Sequence, residues 1–272
     1  MKFDLLSDLH IDINREFFLP DKNEGSDILV VAGDLAEYRS LLNLHYKPFH
    51  EMMKQYNDVV YVAGNHEFYG ANYQAVLNRF RDDLGIMYEG HIHFLHGDTW
   101  EVPDSDVAFV GGTLFTDMNG GDELAMKVVR QCMADFTYIT YNDNNPLALG
   151  DRYQARICRP EDYVHEHKHM LLKFENECDR LADKKVVLVT HHAMSEKSVT
   201  YRYSNDHLMN AGYRSHLEWF FEKHKNVHVH CHGHMHEMIR YEIANARIYC
   251  NPCGYTKYGE TRVNYGPLQI EV

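Results

Sequence analysis

No run of about 18 uncharged apolar residues occurs in this chain of 272 residues, which argues against a membrane-spanning helix. Basic residues are few: 27 lysines and arginines face 40 aspartates and glutamates, a formal charge of −13. That balance disfavours the broad phosphate-tracking surface of a non-specific nucleic-acid binder, so a nucleic-acid polymer is not the expected partner. It does not exclude a small phosphorylated ligand held at a locally cationic centre. Cysteine is sparse, and Cys132, Cys158, Cys178, Cys231, Cys250 and Cys253 follow no disulfide framework, so reduced thiols are expected. Only Cys250-Asn-Pro-Cys253 has C-x-x-C spacing, without the second pair of a zinc ribbon or the helix-opening context of a redox motif. No internal repeat, low-complexity tract or Pro/Gly/Ser linker divides the chain, and a single domain over residues 1–272 is expected. The sequence enters a candidate strand at Lys2 with no basic and apolar leader, from which a cytoplasmic location is expected.

What is present is ordinary in bulk and specific in detail. The composition, 44% hydrophobic and 25% charged, is that of a soluble globular protein. Apolar, β-branched runs at Phe3–Leu6, Ile28–Ala32, Val59–Ala63, Val186–Val189 and Val227–Val229 read as buried strands. Shorter strands are expected at 92–94, 99–102 and 107–111, a hairpin across Asn245, and a closing strand at 268–272. Helices are expected over about 38–56, 71–84, 160–181 and 211–224. The third is the clearest, since Val164, His167, Leu171, Phe174, Cys178 and Leu181 recur at helical spacing behind Pro160. Between 117 and 159 the pattern weakens, and an irregular insertion with at most one short helix is expected there, of the kind that forms lids or binding loops.

Five blocks stand just past the five main strand candidates: Asp8-Leu-His10, Gly33-Asp34, Gly64-Asn65-His66-Glu67, His191-His192 and Gly233-His234-Met235-His236. Loops leaving one edge of a sheet can bring such residues into one pocket. In extended backbone Asp8 and His10 would point the same way, as would His234 and His236. Mixed imidazole, carboxylate and amide donors suit Mn, Fe, Zn, Ni or Co better than Ca or Mg alone. One ion rarely uses so many groups, whereas two ions roughly 3.5–4 Å apart that share a carboxylate would use them all.

Taken in order, D-x-H, GD, GNH[DE], H and GHxH, these blocks resemble the calcineurin-like metallophosphoesterases, from the first strand to about Gly254. The resemblance implies an α/β fold, a four-layer sandwich of two mixed β-sheets flanked by helices. It implies that Asp8, His10 and His236 bind one divalent ion, that Asn65, His191 and His234 bind a second, and that Asp34 bridges both. Manganese is the first expectation for the metal. It further implies a phosphohydrolase in which a hydroxide shared by the ions attacks a small phosphodiester or phosphomonoester, a nucleotide among the candidates, while His66 assists the leaving group. Glu37 stands three residues after the bridging aspartate, where many relatives carry a carboxylate that orients this histidine; a helix-start carboxylate is the competing reading.

More locally, Thr190-His-His-Ala-Met-Ser195 and Asn251-Pro-Cys-Gly-Tyr255 resemble small bacterial and phage phosphoesterases, with Met194, Met235 and Cys253 where proline, threonine and arginine are common. Loss of that arginine leaves open how a second phosphate would be clamped. Substrate contacts are expected from His192, as a residue behind the ligands or facing substrate, and from Tyr201 and Arg202 in an aromatic loop. Asn14 and Arg15 are weaker candidates, and His232 reads as packing. A nuclease, or a scaffold that has lost catalysis, is the alternative to a small-molecule phosphoesterase.

Overall fold

A computed structural model describes residues 1–14, 21–41, 51, 54–87, 90–142 and 155–272 of the chain. Two sheets face each other. In the first, β1 (Lys2–Leu6), β2 (Ile28–Ala32), β3 (Asp58–Val62) and β5 (Ile92–Phe94) run parallel. The last strand, β14 (Leu268–Glu271), closes that sheet antiparallel to β1. In the second, β7 (Val107–Gly112), β10 (Lys185–Thr190), β11 (Val227–His232) and β13 (Ala246–Cys250) are parallel. Its edges, β6 (Asp98–Glu101) and β12 (Ile239–Ile243), are antiparallel.

Strand alternation sorts the apolar side chains into layers. Phe3, Leu5, Val30, Val60, Val62, Phe109, Val187, Val189 and Val229 fill the space between the sheets. Their neighbours Leu29, Val31, Val59 and Tyr61 point outward against Val76, Phe80 and Leu84 of the helix Tyr73–Met87. On the opposite outer face, Val186 and Leu188 meet Met170, Phe174 and Cys178 of the helix Pro160–Arg180, and Phe220 and Phe221 of the helix Glu218–Lys223. Helix, sheet, sheet and helix form four layers, the architecture the motifs imply. Each fully buried Val, Leu or Phe in these layers contributes roughly 1.5–3 kcal/mol. Among the described residues no helix is long and apolar enough to cross a membrane.

Three segments differ from expectation. Of the helix foreseen over 38–56, Tyr38–Leu41 and Glu51 are helical, and 42–50 and 52–53 lie outside the described residues. The helix foreseen from 211 begins only at Glu218. Ala193 accounts for this: its N–H donates to the Tyr213 carbonyl and its own carbonyl accepts from Ser215, holding 213–215 as a bridge beside the second sheet. Of the segment 117–159, residues 143–154 lie outside the described residues, and the described part carries more regular structure than expected. Its helices Glu123–Cys132 and Asp135–Tyr138 are followed by β8 (Ile139–Asn142). That strand pairs with β4 (Ala71–Asn72) and β9 (Ala155–Ile157) in a small third sheet. Asp122 starts the first of these helices as its cap, accepting from Ala125 N at 2.7 Å.

Candidate metal centre

The edge of the sandwich where β1, β2, β3, β10 and β11 end carries every block singled out from the sequence. Asp8, His10, Asp34 and His236 place one donor atom each within 4.8 Å of one another, and Asp34, His191 and His234 form a second such group. Asp34 belongs to both. Its Oδ2 lies 3.7 Å from His10 Nε2 and its Oδ1 3.4 Å from His191 Nε2. His10 Nε2 and His236 Nε2 are 3.2 Å apart, His236 Nε2 is 3.4 Å from Asp8 Oδ1, and Asn65 Oδ1 is 3.0 Å from His191 Nε2.

The route to this convergence is not the one expected. Extended alternation was to aim Asp8 with His10 and His234 with His236; instead all four, and Asp34, have left-handed backbone, with φ of 51°, 42°, 67°, 51° and 53° respectively. Left-handed non-glycine residues cost roughly 1–3 kcal/mol each and persist only where surrounding structure holds them. Here the hold is visible. Asp8 N donates to Gly33 O, His10 N to Asp34 O, and His234 N to Asp8 Oδ1. Glu67, fully buried, ties two loops together by accepting from Asp34 N, Leu35 N, Gly64 N and the Tyr61 hydroxyl at 2.7–3.1 Å. Burial and the nearby Asp34 charge push its pKa up to about 8. Gly64 leaves no room for a side chain, since a Cβ there would lie 2.1 Å from Asp34 Oδ1.

The aspartates stay ionised, while the imidazoles divide into neutral and protonated rings. Burial would raise Asp34, but the imidazoles of His191, His10 and His66 hold it well below the ordinary carboxylate range. Burial drives His10 down to about 3, a neutral ring with a lone pair to offer. His191 is held up at about 9, because Asp34 and Asp8 outweigh its burial, and Asp8 and Glu260 likewise hold His236 up at about 10, so an ion binding there would displace a proton from each. Asp8 Oδ2 and His234 Nε2 are buried with no hydrogen-bond partner among the described residues. Such orphaned polar atoms are costly unless something else satisfies them, and a carboxylate and an imidazole fit divalent transition ions. Two supporting contacts were not foreseen. Glu260 accepts from His236 Nδ1 at 2.7 Å, the carboxylate partner that commonly fixes a ligating imidazole. Asp135, in the segment read as irregular, accepts from Asn65 Nδ2 at 2.8 Å. Neither carries a motif in the sequence.

His66 sits beside the cluster, its ring 4.6 Å from His10 and 4.2 Å from Tyr69. Its Nε2 is 3.3 Å from the Tyr255 hydroxyl, and Tyr255 stacks on His10 at 4.4 Å. Glu37 does not orient this histidine: His66 Nδ1 has no hydrogen-bond partner among the described residues. Glu37 instead starts the Tyr38–Leu41 turn, where its N–H donates to Asp12 Oδ2 and its carbonyl accepts from Ser40 and Leu41. His192 does not face substrate either. It is fully buried behind the ligands, with Nδ1 toward the Thr113 carbonyl and its ring 4.2 Å from His234. Tyr201, 95% exposed, and Arg202, lying over the Tyr203 ring, are absent from the cleft lining; Tyr203 is the loop residue that lines it. Asn14 binds the Leu9 and Gly254 carbonyls and Thr256, which makes it a loop tie, and Arg15 lies outside the described residues. His232 packs, with Nε2 on Ser198.

The cluster forms the floor of a cleft of about 370 Å³. Asp34, Asn65, His234 and His236 lie on that floor. Met133, Met209, Met235, Tyr203 and Tyr213 supply an apolar and aromatic wall, with Asp206 and Glu260 at its polar margin.

With this fold and this donor set in place, comparison gives the class. Residues 1–238 match the calcineurin-like phosphoesterase family, and the chain belongs to it, a family of metal-dependent phosphoesterases that usually bind two divalent ions. No curated protein matches by sequence. Among solved structures, phosphopantetheinyl hydrolase from Mycobacterium tuberculosis shares the fold, with a TM-score of 0.66 and 16% identity over 99% of this chain and 95% of that one. A dimetal phosphatase from Danio rerio aligns with a TM-score of 0.49 and 14% identity, over 92% and 86% of the two chains.

Proposed function

We propose that this protein hydrolyses a small phosphate monoester or diester with two divalent transition ions, manganese foremost, and works in a reducing, cytoplasmic setting. The observation that carries the reading is the pair of donor groups sharing Asp34 at the floor of an open cleft. Asp8, His10 and His236 would hold one ion, Asn65, His191 and His234 the other, and Asp34 both. When bound, such ions supply Lewis acidity at the phosphoryl group and acidify the attacking water.

The remaining work falls to side chains of the chain. His66, beside Tyr69 and Tyr255 and next to the donors, would give a proton to the departing oxygen. The thioether and tyrosine wall takes an apolar or flat leaving group. No lysine or arginine lines the cleft among the described residues, while Asp135, Asp206 and Glu260 do. Extra phosphates on the substrate would therefore meet like charge, which favours a singly phosphorylated ester over a polyanion.

Hydrolysis of nitrophenyl mono- and diesters by protein loaded with manganese tests the proposal. The expected outcome is turnover that disappears on chelation and returns with metal. His66→Ala should still bind two ions while kcat on poor leaving groups falls roughly 10²-fold or more. Wild-type protein that binds two ions and cleaves no ester would sink the enzymatic reading.

A further inference from the structure

Asp135 is buried beside the cluster, yet it is not one of the converging donors. Its two oxygens accept three hydrogen bonds: Oδ1 from Asn65 Nδ2 at 2.8 Å and from the Tyr69 hydroxyl at 2.5 Å, and Oδ2 from the Tyr163 hydroxyl at 2.9 Å. An amide has a donor end and an acceptor end on nearly the same shape, and only a neighbour can decide which end faces the centre. Turned the wrong way, Asn65 would present an NH2 group to the ions and repel them.

We propose that Asp135 is a positioning residue that sets the orientation of Asn65, so that Asn65 Oδ1 faces the second ion and the NH2 group faces away. This rests on the reading of Asn65 as a ligand. Two features beyond the single bond support the assignment. The Tyr69 and Tyr163 hydroxyls anchor the carboxylate from two other parts of the chain, so Asp135 cannot follow the amide if it rotates. Asp135 also begins the short helix Asp135–Tyr138 directly after Met133 and Ala134 of the cleft wall. The segment that shapes the substrate wall therefore also holds a ligand of the second ion in register.

Calorimetric titration of metal-free protein with manganese tests this, with thermal melting of the metal-free variants as the folding control. In Asp135→Ala, which removes the acceptor, the first ion should bind as in wild type and the second roughly tenfold or more weakly. Tyr163→Phe, which removes an anchor but not the Asn65 contact, should bind both ions. The discriminating variant exchanges the pair. In Asn65→Asp with Asp135→Asn, the amide at 135 can donate to the carboxylate at 65, and the second ion should return, an outcome that a merely structural role for Asp135 does not give. If Asn65→Ala binds both ions like wild type, the proposal falls together with the ligand assignment. If Asn65→Ala loses one ion while Asp135→Ala keeps both, or if the exchange recovers nothing, the proposal alone falls.

Discussion

Single atoms decide this centre. A Cβ on Gly64 would sit 2.1 Å from Asp34 Oδ1 and 2.7 Å from both Asp34 N and His191 Cε1, distances no real side chain tolerates. Alanine there must displace the aspartate common to both donor groups. Gly64→Ala should therefore lose manganese binding at both positions, whereas the metal-free fold loses only about 1–3 kcal/mol, the usual cost of overpacking. Metal stoichiometry beside a melting curve separates the two effects, and unchanged binding of both ions would show that Asp34 does not bridge. The donor residues were legible in the sequence because each follows an apolar run and comes with its own glycine or histidine partner. The residues that hold the donors were not. Asp135 and Glu260 reach Asn65 and His236 from elsewhere in the chain, and an isolated acidic residue in a chain of 40 acidic residues carries no pattern.

At the scale of elements, periodicity found what is buried on one face and missed what is fixed by a cap or a bridge. The helix Pro160–Arg180 was plain because it covers a sheet, and Asp162 closes its first turn by accepting from Arg159 N at 2.8 Å. The helix Glu123–Cys132 was not, although Ala125 and Val129 are buried, because the chain reaches it through left-handed Asn119, Gly120 and Gly121. Its start depends on the Asp122 cap. Asp122→Ala should cost about 1 kcal/mol of stability. Because this helix leads directly into Met133, Ala134 and Asp135, the same variant should raise KM more than it lowers kcat. A KM equal to that of wild type would show that the wall is held by other contacts.

Over the whole molecule, several histidines are locked in as neutral groups, with consequences for acid stability. Burial, helped by the charges of Lys173 and Arg81, lowers His96 to about 3, and its Nε2 meets the Tyr73 hydroxyl at 3.3 Å. His230 is lowered as well, by complete burial and by its neighbour His232. The folded pKa lies below the unfolded value of about 6.5 in both cases, so the unfolded chain takes up protons first. For His96 that stability is fully present above pH 6.5 and lost as pH falls from there toward 3. His96→Gln should flatten the decline between pH 6 and pH 4 by about 1.4 kcal/mol per pH unit, one proton's worth. Denaturant melts of the metal-free protein at a series of pH values read that slope, and an unchanged slope would mean that His96 is charged in the folded state.

The donors are divided between the sheets: Asp8, His10, Asp34 and Asn65 follow strands of one, and His191, His234 and His236 follow strands of the other. Neither half alone can complete either group, and Asp8 and His234, joined by a hydrogen bond, are 226 positions apart. On the two-metal reading, neither ion would find a complete set of donors until the two halves had docked. Ions bound there would tie the two halves together from the rim, so their removal should speed the opening of that docking far more than it slows its formation.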